Sequence, residues 1–127
     1  MSAAPQPTRR ILVVEDNHDA ADCLTLLLEM EGHEVQTAYD GLRAVEIAGS
    51  FTPDAVILDI GLPKLNGYDA ARRIRQQLGD AVVLIAMSGW EPTADRDRPT
   101  EPSFDHHMVK PIELDALTKL LEIRPIR

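Results

Sequence analysis

Four short apolar runs, each followed by a residue able to bind or react, constrain the fold of this chain more than any other feature. The runs are Ile11–Val14 before Glu15-Asp16, Ala55–Leu58 before Asp59, Val82–Met87 before Ser88-Gly89, and His107–Val109 before Lys110-Pro111. In an open parallel α/β sheet the carboxyl ends of the strands lie along one edge, where ligands bind. If the runs are parallel strands, that edge collects three carboxylates, a hydroxyl and an ammonium group. Such a set can hold a divalent cation and a phosphoryl group.

The order of apolar and turn residues predicts five strands that alternate with helices. The predicted strands are Arg10–Glu15, Glu34–Ala38, Ala55–Leu58, Ala81–Met87 and His106–Val109. Five βα units of this size favour an α/β fold, a doubly wound five-stranded parallel sheet with helices on both faces and the flavodoxin-like order 2-1-3-4-5. A switch point between the first and third strands then places Glu15, Asp16 and Asp59 side by side.

Helical periodicity predicts which side chains of the connecting helices face the sheet. The first helix should bury one apolar stripe and end at Gly32, and Asp40-Gly41 should form a turn that starts the second helix. Cys23, in the first helix, is expected to be inert core. The predicted buried stripes are Ala20, Leu24, Leu27 and Leu28; Ala44, Val45 and Ala48; Gly67, Ala71, Ile74 and Leu78; and Leu114, Leu117 and Leu121.

The helix expected between the fourth and fifth strands has an unsuitable sequence. Residues 90–103 are polar and include Pro92, Pro99 and Pro102. Pro99 and Pro102 could not both lie in a helix interior, because proline removes a backbone donor and clashes with the preceding turn. We therefore predict a degenerate fourth helix, at most a short turn around Thr93–Arg98, in a segment more mobile than the other connections. If this segment covers the fourth and fifth strands only thinly, apolar surface would stay exposed for a partner or a second copy.

Length and charge limit the remaining possibilities. The 127 residues fit one domain at 9–123, with a flexible tail at 1–8 and a C-terminal tail at 124–127. A net charge of −8 argues against direct binding of nucleic acid. With a single cysteine, no signal peptide and no membrane span in the sequence, a cytoplasmic location without membrane contact is expected.

The strand-end residues suit phosphoryl chemistry that is assisted by a metal ion. Mg²⁺ prefers oxygen ligands and retains some waters, so Asp16, Asp59 and a backbone carbonyl just after Asp59 would form a sparse site, with Glu15 acting through water. A carboxylate is also a known nucleophile toward phosphoryl groups. Lys110 could pair with one phosphoryl oxygen and the Ser88 hydroxyl could bond another, which would neutralise and position the transferred group.

Each of these residues also has an ordinary structural interpretation. Asp16 could cap the first helix, Asp59 and Ser88 could be turn residues, and Lys110 could be a surface lysine. Their joint placement at strand ends favours the functional interpretation. The adjacent residues at 106–107 do not indicate a metal site, because neighbouring side chains on a strand point to opposite faces.

These motifs together resemble the receiver domains of two-component response regulators. The resemblance covers about Arg9 to Glu122 and includes Glu15-Asp16, Val56–Asp59 with Leu62-Pro63 and Gly67 behind it, Ser88-Gly89, and Val109–Pro111. It implies a phosphoacceptor domain, not an enzyme, that receives a phosphoryl group on Asp59 from a histidine kinase or phosphotransfer protein. It also implies that the domain assists its own phosphorylation and dephosphorylation. Phosphorylation would change its conformation to control an output partner, or self-association.

The resemblance also implies roles for individual residues. Asp16 and Asp59 would ligate Mg²⁺ directly, Glu15 through water, and Gly61 through its carbonyl. Ser88 and Lys110 would contact the phosphoryl group, and Lys110-Pro111 would be a cis peptide. The family often has Tyr or Phe three residues before the lysine as a rotameric switch, and this chain has His107 there.

Three other functions are weaker fits to the sequence. An aspartyl-phosphate phosphatase of the haloacid dehalogenase kind would need a carboxylate two residues after its nucleophile, where this chain has Gly61. A flavodoxin-like cofactor site would need a glycine-rich loop after the first strand, where Glu15-Asp16-Asn17 would repel phosphate. An interaction module with an unused phosphorylation site stays open. The chain could be a stand-alone receiver or a piece of a hybrid sensor kinase.

Overall fold

The computed structural model describes residues 9–60, 67–88, 104–110 and 112–123. The strands are β1 (Arg10–Val14), β2 (Glu34–Ala38), β3 (Ala55–Asp59), β4 (Val83–Ser88) and β5 (His106–Val109). The helices among these residues are α1 (His18–Met30), α2 (Gly41–Phe51), α3 (Gly67–Leu78) and α4 (Leu114–Ile123). A 3₁₀ turn at Gly79–Ala81 precedes β4.

The strands form one sheet in the order β2-β1-β3-β4-β5, with every neighbouring pair parallel. This confirms the predicted doubly wound architecture. The chain leaves β1 toward β2 on one side and returns to β3 on the other, so the switch point lies between β1 and β3. Register pairs Val14 with Leu58 and Asp59 with Met87, which brings the carboxyl ends of the three central strands close to one level.

Alternation along the strands divides the core into two layers. One face of the sheet packs against α2 and α3, through residues such as Ala48 and Ile74, both 0% exposed. The other face packs against α1 and α4, through Leu28 and Leu117. The sequence is only 4% aromatic, so both layers are built mainly of aliphatic side chains.

The buried stripe of α1 differs from the prediction. Ala21 and Leu28 are fully buried, whereas Ala20 is exposed and Leu27 is 36% exposed. Apolar residues occupy most of the second half of this helix, so the sequence period could not fix the rotation of the helix about its axis. The prediction that Cys23 is buried core is also wrong, because its side chain is exposed.

Other predicted features match the described structure or fall outside it. Helix α1 ends where predicted, just before Gly32. This glycine has a φ of 97°, a left-handed conformation that glycine adopts without strain. Strand β4 starts at Val83 instead of Ala81 because the 3₁₀ turn occupies the preceding residues. The predictions for the tails at 1–8 and 124–127 and for residues 90–103 lie outside the described residues. Within the described chain, every helix is too short or too polar to cross a membrane.

Candidate functional site

The carboxyl ends of four strands bring the predicted site residues together. Glu15 and Asp16 follow β1, Asp59 and Ser88 are the last residues of β3 and β4, and Lys110 follows β5. Glu15, Asp59 and Ser88 are 3%, 8% and 3% exposed, so the fold holds these polar groups against the sheet instead of in solvent. Backbone hydrogen bonds secure the edge, including one from the Lys110 amide to the Ser88 carbonyl at 2.7 Å.

The Lys110 ammonium joins two of the carboxylates. Its Nζ lies 2.6 Å from Glu15 Oε1 and 2.9 Å from Asp59 Oδ2. The Lys110 side chain is 33% exposed, so the ion pairs lie at the mouth of the site and water partly screens them. Lys110 therefore places a positive charge beside Asp59, the carboxylate that the sequence predicts as the nucleophile.

Three carboxylates at this edge can share one cation. One oxygen each from Glu15, Asp16 and Asp59 lies within 4.8 Å of the others. Hard oxygen donors at this spacing suit Mg²⁺, which is typically held by one or two protein carboxylates and several waters. The residues present therefore fit a magnesium ion, with the exposed Asp16 leaving room for water on the outer side.

The pKa values of Glu15 and Lys110 shift in the directions that their surroundings require. Burial raises the pKa of the Glu15 carboxyl above its ordinary value, and hydrogen bonds from Lys110 and the Asn17 amide offset only part of that rise. Burial alone would lower the pKa of the Lys110 ammonium, but hydrogen bonds to Glu15 and Asp59 outweigh it and the pKa is raised. Lys110 is thus a firmly charged partner for anions at this edge.

The N-cap of α1 is a residue that the sequence interpretation missed. Asn17, and not Asp16, caps the helix, with Oδ1 accepting a hydrogen bond from the Ala20 amide at 3.0 Å. The Asn17 amide in turn donates to Glu15 Oε2 at 3.1 Å. Asx residues at positions 16 and 17 both suit a helix start, so the sequence alone did not separate them. Capping by Asn17 leaves Asp16 to the carboxylate cluster.

Ser88 has a cross-strand partner. Its Oγ lies 2.9 Å from Nε2 of His107, the residue predicted as the switch. Two other predicted positions, the Gly61 carbonyl and the Lys110-Pro111 peptide bond, involve residues outside the described ranges. The structure thus collects Glu15, Asp16, Asp59, Ser88, Lys110 and His107 at one edge of the sheet.

A cavity of about 490 Å³ opens beside the site, between α1 and the carboxyl ends of β4 and β5. Its apolar walls include Leu24, Leu27, Met87 and Ile112, and Glu15 and Lys110 lie at its polar end. The exposed Cys23 also lines it, and this position explains why the thiol is not core.

Comparison with known proteins identifies the family. The sequence model of the response regulator receiver domain matches residues 11–122, so the chain belongs to the receiver domain family. Among curated proteins, the response regulator MprA of Mycobacterium ulcerans is 32% identical over 108 residues. That match covers 85% of this chain and 46% of the relative, so the chain spans about half the length of the curated relatives it matches.

Solved structures agree with this assignment. A CheY-like receiver domain from Methylobacillus flagellatus is 28% identical, with a TM-score of 0.80 over 91% of this chain and 98% of that one. The receiver domain of a sensor histidine kinase from Pseudomonas aeruginosa is 30% identical, also with a TM-score of 0.80, over 91% of this chain and 96% of its own. That domain was solved with magnesium in its active-site cleft. The chain is therefore a signalling domain of two-component systems.

Proposed function

We propose that this chain is the phosphoacceptor of a two-component phosphorelay. It receives a phosphoryl group on Asp59 in a Mg²⁺-dependent reaction and changes conformation to control a partner. The observation that carries the proposal is the contact between Asp59 Oδ2 and Lys110 Nζ, 2.9 Å, within reach of two further carboxylates. The Lys110 ammonium offsets the negative charge of Asp59 at the open edge of the sheet. An anionic phosphoryl group can therefore approach the carboxylate.

The protein groups that take part in the transfer lie at this edge. A carboxylate oxygen of Asp59 forms a bond to phosphorus while the bond from phosphorus to the donor nitrogen of a phosphohistidine breaks. The electron pair stays with that nitrogen, and the product is an acyl phosphate. Lys110 pairs with one phosphoryl oxygen as charge leaves the Asp59 carboxylate, and the Ser88 hydroxyl donates to another.

A magnesium ion would be held by Asp16 and Asp59 directly, by Glu15 through water, and by the Gly61 carbonyl. When bound, Mg²⁺ supplies charge neutralisation at the phosphoryl oxygens and lowers the repulsion between the donor and the acidic cluster. Lys110 must loosen one of its two ion pairs to reach the incoming group. Glu15 can keep the other, because its 2.6 Å contact does not involve the reacting carboxylate.

The partners follow from the chemistry of the donor and from the family. The donor is a histidine kinase or a histidine phosphotransfer protein, and the output is a partner protein or self-association of the receiver. His107 serves as the switch residue, coupled to Ser88 across the strands. Because the chain has a net charge of −8, any direct binding of nucleic acid belongs to a partner or to another domain. The domain assists its own phosphorylation and dephosphorylation and acts in the cytoplasm.

The phosphoacceptor assignment is tested by intact mass spectrometry after incubation with acetyl phosphate and Mg²⁺. The wild type is expected to gain one phosphoryl group, and Asp59→Asn is expected to gain none. Asp54→Asn is the matched control: Asp54 precedes the other end of β3, where it accepts a hydrogen bond from the Arg10 amide, which asparagine also can accept. That variant should gain the group as the wild type does.

Two outcomes would contradict the proposal. A gain that persists in Asp59→Asn would assign the phosphoryl group to another residue. A wild type that gains nothing, although it is folded and binds Mg²⁺, would favour an interaction module with an unused site. Continuous turnover of an unrelated phosphate ester would instead favour the phosphatase alternative.

A further inference from the structure

Helix α1 is attached to the edge strand β2 through polar and aromatic side chains. Three residues at helical spacing on one side of α1 make these contacts, His18, Asp22 and Thr25. The His18 ring stacks on the Tyr39 ring with 3.8 Å between the centroids, and Tyr39 Oη donates to Asp22 Oδ1 at 2.8 Å. Two residues earlier on the same face of the sheet, the hydroxyls of Thr37 and Thr25 lie 2.8 Å apart. Tyr39 therefore holds the start of the helix, and Thr37 holds its middle.

The end of β2 also holds the backbone that leads from β1 into the site. The Glu15 amide donates to the Ala38 carbonyl at 3.0 Å, and Tyr39 follows Ala38 in the chain. Two residues separate Glu15 from His18, where α1 begins. This short connection is thus fixed at one end by the backbone of β2 and at the other by the Tyr39 side chain. A shift in the first turn of α1 would have to be absorbed within the connection.

The connection determines how the Glu15 carboxylate is oriented. Lys110 Nζ lies 2.6 Å from Oε1, and the Asn17 amide donates to Oε2 at 3.1 Å. Asn17 is also the N-cap of α1, so its amide moves with the first turn of that helix. If that turn shifted, Oε2 would lose its donor and the carboxylate could rotate about its contact with Lys110. Groups that orient the ligands of a metal ion change its affinity without touching the ion.

We propose that Tyr39 is a positioning residue for the carboxylate cluster of Glu15, Asp16 and Asp59. It holds the first turn of α1 so that the Asn17 amide keeps Glu15 in the orientation that favours Mg²⁺. Tyr39 acts through Asn17 and Glu15, and not by contact with the ion. This inference rests on the proposed function, in which the cluster holds Mg²⁺ during phosphorylation of Asp59.

Thr37 provides a matched comparison within the same contact between α1 and β2. Its partner Thr25 lies seven residues beyond His18, about 10 Å along the helix. Thr37→Val removes the hydrogen bond between the two threonines and keeps a β-branched side chain in the strand. It therefore weakens the attachment of α1 to β2 without releasing the first turn of the helix.

The Asn17 amide gives a readout that needs no metal ion. Its exchange with water is measured by NMR in the metal-free protein, where the hydrogen bond to Glu15 Oε2 slows exchange. Tyr39→Leu loses both the stacked ring and the hydroxyl, so the Asn17 amide should exchange about threefold to tenfold faster, the range of one hydrogen bond. Tyr39→Phe keeps the ring over His18 and should fall between the wild type and Tyr39→Leu. Thr37→Val should keep the wild-type rate at Asn17.

Isothermal titration calorimetry with MgCl₂ measures the effect on the ion. We expect Tyr39→Leu to raise the Kd for Mg²⁺ by about threefold to tenfold and Thr37→Val to stay within about twofold of the wild type. In a Glu15→Ala background, Tyr39→Leu should change the Kd by less than about twofold, because the carboxylate that Tyr39 positions is gone. A structural role alone would weaken Mg²⁺ binding equally in both backgrounds.

Three results would overturn the role of Tyr39. They are an unchanged Asn17 exchange rate in Tyr39→Leu, an unchanged Kd in that variant, and a rise in Kd that persists without the Glu15 carboxylate. Each of them leaves the wild type able to bind Mg²⁺ and to accept a phosphoryl group on Asp59, so the proposed function would stand. A wild type that binds no Mg²⁺ would instead overturn the proposed function and this inference together.

Discussion

The Lys110 ammonium faces two carboxylates that the fold holds in place, and this arrangement predicts a measurable cost for its removal. Lys110→Met keeps most of the apolar stem but leaves Glu15, whose side chain is 4% exposed, without its 2.6 Å partner. A buried carboxylate without a counter-charge is unfavourable. Because the Lys110 side chain is one-third exposed, the expected loss in unfolding free energy is modest, about 1–2 kcal/mol.

Urea denaturation at neutral pH measures this loss. Lys119→Met is the matched control, because Lys119 lies on the exposed side of α4. That substitution should change the unfolding free energy by less than about 0.5 kcal/mol. Equal stability of Lys110→Met and the wild type would mean that the contacts with Glu15 and Asp59 contribute nothing to the fold.

His33 is expected to make folding depend on pH. Its Nδ1 accepts a hydrogen bond from the Arg9 amide at 3.3 Å. Burial lowers the pKa of this imidazole, and the nearby Arg9 charge lowers it further, against a smaller opposing effect of Glu31. The unfolded chain then takes up a proton at a higher pH than the folded chain does. Stability should therefore fall as pH drops below about 6.5, until the pH passes the lowered pKa of the folded state.

His33→Asn tests this dependence, because asparagine keeps an acceptor near the Arg9 amide and does not titrate. The unfolding free energy of this variant should decline less between pH 7 and pH 5 than that of the wild type. His106→Gln, which removes a histidine from β5, is measured beside it for comparison. Parallel curves for the wild type and His33→Asn would exclude His33 as the source.

At the scale of single elements, the starts of α1 and α2 depend on side-chain caps. Asp40 precedes α2, and its Oδ1 accepts a hydrogen bond from the Arg43 amide at 2.8 Å. Asp40→Ala removes that acceptor and should lower the unfolding free energy by about 1 kcal/mol. Asp40→Asn keeps the cap and should lower the unfolding free energy by only a few tenths of a kcal/mol. Thermal or urea unfolding measures both, and similar losses in the two variants would show that charge, not capping, is the source.

The elements also show how far the sequence could be interpreted. Strands β2 and β5 match their predicted bounds, because both are short segments flanked in the sequence by glycine, aspartate or proline, which leaves little choice of bounds. The rotation of α1 was not predictable, since Leu24, Leu27 and Leu28 offer several apolar stripes and packing against the sheet selects one. Cys23 was misassigned for the same reason.

For the candidate site, the sequence could predict which residues come together but not all of the contacts between them. Strand ends in a parallel sheet must meet at one edge, so the grouping of Glu15, Asp16 and Asp59 followed from topology. The contact between Ser88 and His107 did not, because it depends on the register of β4 against β5, which no local pattern encodes. Register decides contacts across strands, and sequence period decides only which face a residue occupies.

At the scale of the whole molecule, the edge of the sheet concentrates negative charge in a chain that is already acidic. The net charge is −8, and one oxygen each of Glu15, Asp16 and Asp59 lies within 4.8 Å of the others. Folding forces these carboxylates together, whereas the unfolded chain separates them. A cation that binds the folded form and not the unfolded one therefore shifts the folding equilibrium by mass action.

Millimolar Mg²⁺ is expected to raise the melting temperature for this reason. At ten times its Kd the ion adds about 1.4 kcal/mol to the unfolding free energy, which corresponds to a rise of a few degrees for a domain of this size. Differential scanning fluorimetry with and without MgCl₂ measures the rise, with NaCl at the same ionic strength to remove general screening. Asp16→Asn should lose most of the Mg²⁺-dependent rise and Asp54→Asn should keep it, because Asp54 lies before the opposite end of β3. An equal rise in Asp16→Asn and the wild type would place the stabilising ion somewhere other than the carboxylate cluster.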